Sequence, residues 1–536
     1  MLKLYCFRLE KVIFFIGLFQ FSSSYAQNQT ITNDSFWETV EGQPIYSQGG
    51  GIFQFRDSQS GSPKYYWYGV HYAEAETYRD DPSVTLERNH FKGVTCYTST
   101  DLVNWTFEKQ VLTPEAVNYD SNPTWLGRMG VAYVAEIDQY ALFIQHGKNV
   151  MIALADSPLG DFKVHRHIDM TGRIGTPNTG DQTVFTDPNT GKSYLVYSYG
   201  QGRNKIYVSE IGVRDGKVDL LDLTEIFRGA SREGNCMFKY KDKYYMAASN
   251  IYGWDGSLAY YLVADDIRGP YKPTNEMLIM PGSEQDYAHV SQTGFFYTLK
   301  GSKEETVLFC GDRWAEFAGN GLGYNQWVPL SFKEDVPHFN SLHAWNLDAV
   351  TGNWTVAKTN NYVKNGSFEA DRRHIPSNNK PVQEQLLGWH TEIIKGNKIA
   401  TNDPSSPVLN YFNTREDRKQ VVGEKSLNIS DSVPFERRIT QEISSTEFVD
   451  LPDGNYTLSL KIKNNSRFEQ LKLYASSGGQ TFEIHLDDEH PEWIPVTLES
   501  VNVRDGKVTV GIYAKGQNGT SAQIDDVRLE MGAIRR

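Results

Sequence analysis

The chain has 536 residues and a formal net charge of -13. That length exceeds one ordinary hydrophobic core, so two or three domains are expected. The acidic balance argues against nucleic acid and anionic membranes as partners, while an aromatic content of 13% suits β-structure and sugar stacking.

Lys3, Arg8 and Lys11 flank and precede a mostly apolar run from Val12 to Phe21, and Ser24-Tyr25-Ala26 follows as a small-x-small site. Residues 1–26 therefore read as an export signal, with Gln27 as the first mature residue. The run is too short to span a bilayer, no later stretch is apolar enough to insert, and no Cys follows the cut to carry a lipid. A soluble protein, secreted or periplasmic and monomeric, is expected. Cys6 leaves with the signal; Cys96, Cys236 and Cys310 have no metal-type spacing and are expected to be buried free thiols.

From about residue 40 to 360, short β-branched and aromatic runs alternate with Gly, Asn, Asp and Pro turns. One phrase recurs, a turn followed by a Tyr-rich strand: Lys64 to Tyr68, Gln139 to Phe143, Lys192 to Tyr197, Lys243 to Met246 and, more loosely, Thr306 to Phe309. A second strand follows each copy, and several end in a similar corner, as in Ser99-Thr100-Asp101-Leu102-Val103-Asn104-Trp105 and Asp265-Asp266-Ile267-Arg268-Gly269-Pro270-Tyr271. Copies spaced by roughly 50 to 75 residues predict four-stranded blades, and five copies predict a five-bladed β-propeller over residues 27–360. Residues 361–536 open with Asn365-Gly366-Ser367-Phe368-Glu369, continue through the alternating strand Tyr456 to Ile462, and close on Ile524-Asp525-Asp526-Val527. They predict a jelly-roll β-sandwich, so the chain reads as all-β.

Loops at the propeller mouth are the expected place for function. Hydrolysis of a glycosidic bond needs a carboxylic acid of raised pKa and a partner for water or the anomeric carbon. Glu233, directly before the apolar strand Met237-Phe238, is the leading candidate, against an ordinary loop carboxylate paired with Arg232. Asp181 occupies the matching place one repeat earlier, against a turn or strand cap. The first repeat carries Gly49-Gly50-Gly51 and no carboxylate, and the later repeats offer His289, Gln292 and Asp286. Gly311-Asp312-Arg313-Trp314 sets a cation beside an aromatic platform. Trp67, Trp254 and Trp327 are further platform candidates, with core packing as the alternative for each.

At these residues the sequence resembles glycoside hydrolase family 43, in the branch of the exo-β-1,3-galactanases. The matching stretches are Gly49 to Ile52 with Tyr65 to Gly69, Thr98 to Trp105, Asp181 to Phe185, Glu233 with Met237 to Lys239, Ser291-Gln292, and Asp312 to Trp314 with Trp327 to Leu330. The resemblance implies an inverting, exo-acting enzyme in which Glu233 is the general acid, Asp181 tunes its pKa, and Gln292 positions water where the usual aspartate base is missing. Galactanase relatives carry Glu-Arg-Pro in the second blade, where this chain has Gly127-Arg128-Met129. Arg128 remains as a substrate contact, alongside Arg313, Trp314 and His289. The C-terminal region resembles the carbohydrate-binding modules of such enzymes, which implies a structural calcium with Glu369 and Asp526 as ligands, against a plain turn role for both. No cofactor is expected for catalysis.

The expected activity is release of a terminal sugar, β-galactose first, from a plant or algal polysaccharide or oligosaccharide. An α-L-arabinofuranosidase, a β-xylosidase and a non-catalytic glycan-binding propeller are the alternatives; a polysaccharide lyase recruiting His146, His289 and Arg128 is a more distant one.

Overall fold

The computed structural model describes residues 29–57, 60–84, 90–119, 124–147, 149–253, 256–314, 324–370, 385–398 and 410–532. The expected export signal and Trp254 lie outside them. The aromatic and β-branched runs form five four-stranded antiparallel sheets, each pairing its strands in chain order. Their innermost strands are Gln48–Arg56, Leu126–Val134, Thr179–Thr186, Glu233–Tyr240 and Gln292–Lys300. Each innermost strand touches those of the sheets on either side, and the fifth returns to the first. The result is a ring of sheets around an axis, a β-propeller.

Ring closure is secured at two levels. Thr30–Thr32 pairs antiparallel with Ala344–Leu347, tying the start of the ring to the segment after its last sheet. Asn33 continues this tie: its Nδ2 donates to Trp327 O at 2.9 Å and Leu342 O at 2.7 Å, and its Oδ1 accepts from the Trp327 N–H at 2.8 Å. Between first and fifth sheets, Trp37, Trp67, Trp105 and Trp327 pack edge to face or tilted, with Trp67 and Trp327 centroids 4.9 Å apart. Such contacts add about 0.5–1.5 kcal/mol per pair beyond area burial. In the corner from Ser99 to Trp105, Asp101 caps its own turn, accepting from the N–H groups of Val103 and Asn104 at 3.0 and 2.8 Å.

One irregularity repeats in all five sheets. Pairing between the innermost strand and its neighbour shifts register between Gln48 and Gly51, Gly127 and Met129, Thr179 and Gln182, Glu233 and Cys236, and Gln292 and Phe295. A bulge re-aims side chains and frees them from strict alternation. Every slip lies at the N-terminal end of its strand, so the re-aimed residues gather at one end of the axis. Arg128 at φ 31 and Gly234 at φ 60 carry the backbone through two of these slips.

Residues beyond 360 form two five-stranded antiparallel sheets. Their inward positions alternate along Gly454–Asn464 and Gln470–Ser477 as the sequence predicts. Leu458, Leu460, Ile462, Leu473, Val510, Ile512 and Ile524 belong to a core separate from those of the ring. Cys96, Cys236 and Cys310 are buried free thiols, in line with expectation.

Candidate active site

The slips bring Glu233, Asp181, Gln292 and Arg128 together. Glu233 Oε1 accepts from Gln292 Nε2 at 2.8 Å, and its Oε2 accepts from Arg203 Nη1. Asp181 Oδ2 accepts from the Gly234 N–H at 2.7 Å, directly beside the acid. Arg203 Nη1 is also 3.8 Å from Asp181 Oδ1, so one guanidinium nitrogen bridges both carboxylates. Arg128 is the buried centre of the cluster. It donates to Asp312 and to the Gln292 oxygen, and its Nε is 3.5 Å from Asp181. Asp312 Oδ1 in turn accepts from the Gly49 N–H at 2.9 Å.

These contacts set the charge states. Burial pushes the Glu233 carboxyl up, and the neighbouring Asp181 charge pushes it further; Arg203 and Arg128 oppose them, leaving it at about 8. Burial also raises Asp312, against Arg128. Burial works against the charge on Arg128, but Asp312 and Asp181 outweigh it and move its pKa up. With Glu233 protonated, two carboxylates balance two guanidiniums, which is the cheapest way to bury this group.

The first sheet contributes backbone in place of a carboxylate because nothing larger fits. A Cβ at Gly50 would lie 1.8 Å from Tyr68 O, and one at Gly51 2.5 Å from the Phe295 ring. At Gly127, where the resemblance expects a carboxylate, a Cβ would lie 2.2 Å from the Trp125 ring. Trp125 and Trp314 then form an aromatic wall, centroids 6.4 Å apart, with Arg128 5.7 Å from the Trp314 ring. A cavity of about 740 Å³ lies along the far halves of the innermost strands, lined by Phe53, Phe185, Phe238 and Phe295, away from the carboxylates.

Other expected contacts lie elsewhere. Trp67 and Trp327 are in the closure core, at 4% and 1% exposure, and cannot offer a face to a sugar. Arg313 is buried against the C-terminal unit, donating to Glu369 Oε2 at 2.9 Å and to Trp314 O at 3.0 Å. His289 pairs with Asp34 at 2.7 Å. Burial opposes the His289 charge, but Asp34 prevails and raises it to about 9. Both Arg313 and His289 line a cavity of about 50 Å³ between the ring and the C-terminal unit.

The carboxylates of the expected calcium pair already have protein partners. Glu369 accepts from Arg313 and from the N–H groups of Glu424 and Lys425, and burial raises it to about 7 against Arg313. Asp526 is held by Arg528 at 2.7 Å and has Lys461 at 3.7 Å. The carboxylate that faces Glu369 is the buried Asp525, raised well above its usual range by burial and by Glu369. Among the described residues no group of three His, Cys, Asp or Glu side chains converges on a metal position. Glu369 and Asp526 therefore do not fit a calcium ion, since backbone N–H groups and cationic side chains already occupy their oxygens.

Arg203 and Trp125 were not singled out from sequence, and Asp312 was quoted only within the phrase Asp312-Arg313-Trp314, without a role of its own. Asp312 sits one residue before the chosen Arg313; Arg203 and Trp125 lie in loops outside the repeated phrases.

A carboxylic acid of raised pKa beside a second carboxylate, at the mouth of a propeller, is a glycosidase arrangement, and the protein is a glycosidase. Residues 64–314 match the model for glycosyl hydrolases family 43. The chain is similar in structure to an exo-β-1,3-galactanase of Phanerochaete chrysosporium, solved with β-1,3-galactotriose: 20% identity, covering 94% of this chain and 100% of that one, TM-score 0.53. An exo-β-1,3-galactanase of Clostridium thermocellum matches with 19% identity over 94% of this chain and 100% of that one, TM-score 0.52. At these identities the likeness is one of fold, and it extends over the ring and the C-terminal sheets. No curated protein sequence matches the chain.

Proposed function

We propose that this protein is an exo-acting, inverting glycosidase that releases terminal β-galactose from a plant or algal glycan. We read its five sheets as five blades spanning residues 27–360, its C-terminal unit as a jelly roll over residues 361–536, and the chain as exported after residue 26. The observation that carries the activity is the Glu233 carboxyl, buried beside Asp181 and raised to about 8. It holds its proton near neutral pH and delivers it to the departing glycosidic oxygen.

Asp181 is the tuning group rather than the base. Its Oδ2 is committed to the Gly234 N–H at 2.7 Å and lies 3.5 Å from Arg128 Nε, so that oxygen is engaged by the protein rather than by an attacking water. Gln292 uses one N–H and one oxygen lone pair on Glu233 and Arg128. The amide retains a second N–H and a second lone pair, enough to orient the water that attacks the anomeric carbon. Arg128 fixes that amide and neutralises Asp312 and Asp181. Trp125, which is partly exposed, supplies the apolar wall for the sugar, and the buried Trp314 backs it.

The test is sugar release from β-1,3-galacto-oligosaccharides, with the product anomer followed by NMR. Inversion gives α-galactose first. The E233Q protein should lose about 10²–10⁴-fold in kcat. Undiminished turnover by E233Q removes Glu233 from the acid role, and β-galactose as first product removes inversion.

A further inference from the structure

Two arginines flank the acid, and the reaction above uses neither. The Arg232 N–H donates to the Arg203 carbonyl at 2.9 Å, so the two are neighbours on the rim between third and fourth sheets. Arg203 enters from a loop residue at φ 54, and its side chain keeps 31% exposure while covering Oε2 of Glu233. That oxygen is the one that must meet the leaving group, since Gln292 holds the other.

Arg232 is buried, at 8% exposure. Its Nη1 donates to Ser231 O at 3.0 Å and Asn250 Oδ1 at 2.8 Å, and its guanidinium lies 4.2 Å from the Tyr260 ring centroid. Its Nε is buried without a hydrogen-bond partner. Burial lowers its pKa, and the groups that oppose this are the phenols of Tyr260 and Tyr252. Among the described residues, then, no carboxylate neutralises this buried cation. Lys205, 4.7 Å from the Tyr199 ring, adds a third positive group at the same end of the third sheet. Glu225, close by on the outer strand Lys217–Arg228, is already held by Arg228 at 2.7 and 2.8 Å. The rim is locally cationic on a chain of net charge -13.

We infer that Arg203 and Arg232 form a subsite for an anionic substituent, a carboxylate or a sulfate ester, on the sugar that leaves with the oxygen Glu233 protonates. The inference rests on the glycosidase reading of Glu233. A buried guanidinium without a counter-ion is costly, and a substrate anion removes that cost. Guanidinium forks match the paired oxygens of carboxylate and sulfate. Drawing Arg203 onto the substrate also uncovers Oε2 of Glu233 when the leaving sugar arrives. A neutral sugar would have to strip Arg203 from the acid with no charge offered in return.

The test is calorimetric titration of the E233Q protein with β-1,3-galactotriose and two charged counterparts, one bearing a glucuronate and one a sulfate ester. At least one charged ligand should bind ~10- to 100-fold more tightly than the neutral one. The arm with the advantage identifies the group, and the advantage should shrink as salt rises. R232Q should reduce it to about parity while R232K retains part of it; if R232Q does not fold, R232K and the salt series carry the test. Equal affinity for all three ligands, no binding of either charged one, or inorganic sulfate binding as tightly as the charged sugar overturns the subsite. Sugar release by the wild type without a charge advantage removes the subsite and keeps the reaction. A charge advantage without release by the wild type keeps the subsite and removes the reaction.

Discussion

The side-chain amide of Gln292 donates to Glu233 Oε1 at 2.8 Å while its oxygen accepts from Arg128. An amide can do both only with its oxygen toward the guanidinium, so its orientation is set by its two neighbours. A carboxylate at 292 could satisfy Arg128 but not donate to the acid, and an alanine could do neither. The acid, the amide and the buried arginine therefore behave as one unit.

The Asp181 charge raises the Glu233 pKa, so removing it lets the acid ionise at lower pH. In D181N the alkaline limb of kcat/KM should move to lower pH than the wild-type limb near 8. A pH–rate profile on a neutral oligosaccharide reads this, and a limb that stays in place or moves upward rules out the tuning role.

Glu233 also links stability to pH. Its folded pKa of about 8 exceeds its ordinary value of 4.5, so its proton favours the folded state fully below 4.5 and that contribution is lost as pH rises toward 8. E233Q does not titrate. Its Tm relative to wild type should rise steadily from pH 4.5 to pH 8 and then level off, as read by thermal scans. A constant difference across that window would falsify the raised pKa.

Arg128 neutralises two carboxylates in the buried cluster. R128M leaves Asp312 and Asp181 without it, and breaking such a pair costs about 3–5 kcal/mol. Urea unfolding should show a lower midpoint, with the largest loss at neutral pH and partial recovery toward acid, where Asp312, raised by burial, takes up a proton. Wild-type stability in R128M means that the cluster is paired differently.

Arg313 spans the ring and the C-terminal unit through Glu369 at 2.9 Å. R313M should lower Tm and leave Glu369 and Asp525 as a buried acidic pair, so the loss should deepen as pH rises through about 7, where burial now places Glu369. If Arg313 instead held substrate, the same variant would raise KM and spare Tm; kinetics and calorimetry on one preparation separate the two.

Much of the architecture was legible because four-stranded repeats leave a periodic trace: the Tyr-rich phrase is the second strand of each sheet. Glu233, Asp181 and Gln292 were legible because each stands at the start of an innermost strand. The misreadings share a physical cause, the two-residue period of a strand. Asp312 meets Arg128 while adjacent Arg313 meets Glu369, and Asp525 faces Glu369 while adjacent Asp526 meets Arg528. A motif names the neighbourhood but not the face. Trp67 and Trp327 were misread for another reason: their partners lie some 260 residues apart in the chain, and only closure of the ring brings them to 4.9 Å. Arg203 had no local signal, since a loop cation becomes meaningful only when the next sheet brings Glu233 beneath it.

The recurring register slip separates what this fold inherits from what it can change. Below each slip the ladder is unbroken, as from Val131 to Val134 or from Met237 to Tyr240. Gln48, Glu233 and Gln292 stand at the start of a slip, and Arg128 and Asp181 lie inside one, where the regular ladder does not dictate their direction. A point change at one of these residues alters the chemistry presented at the axis and leaves the strand beneath it paired. Each innermost strand is thus divided between two tasks, chemistry at its opening residues and scaffolding along the rest.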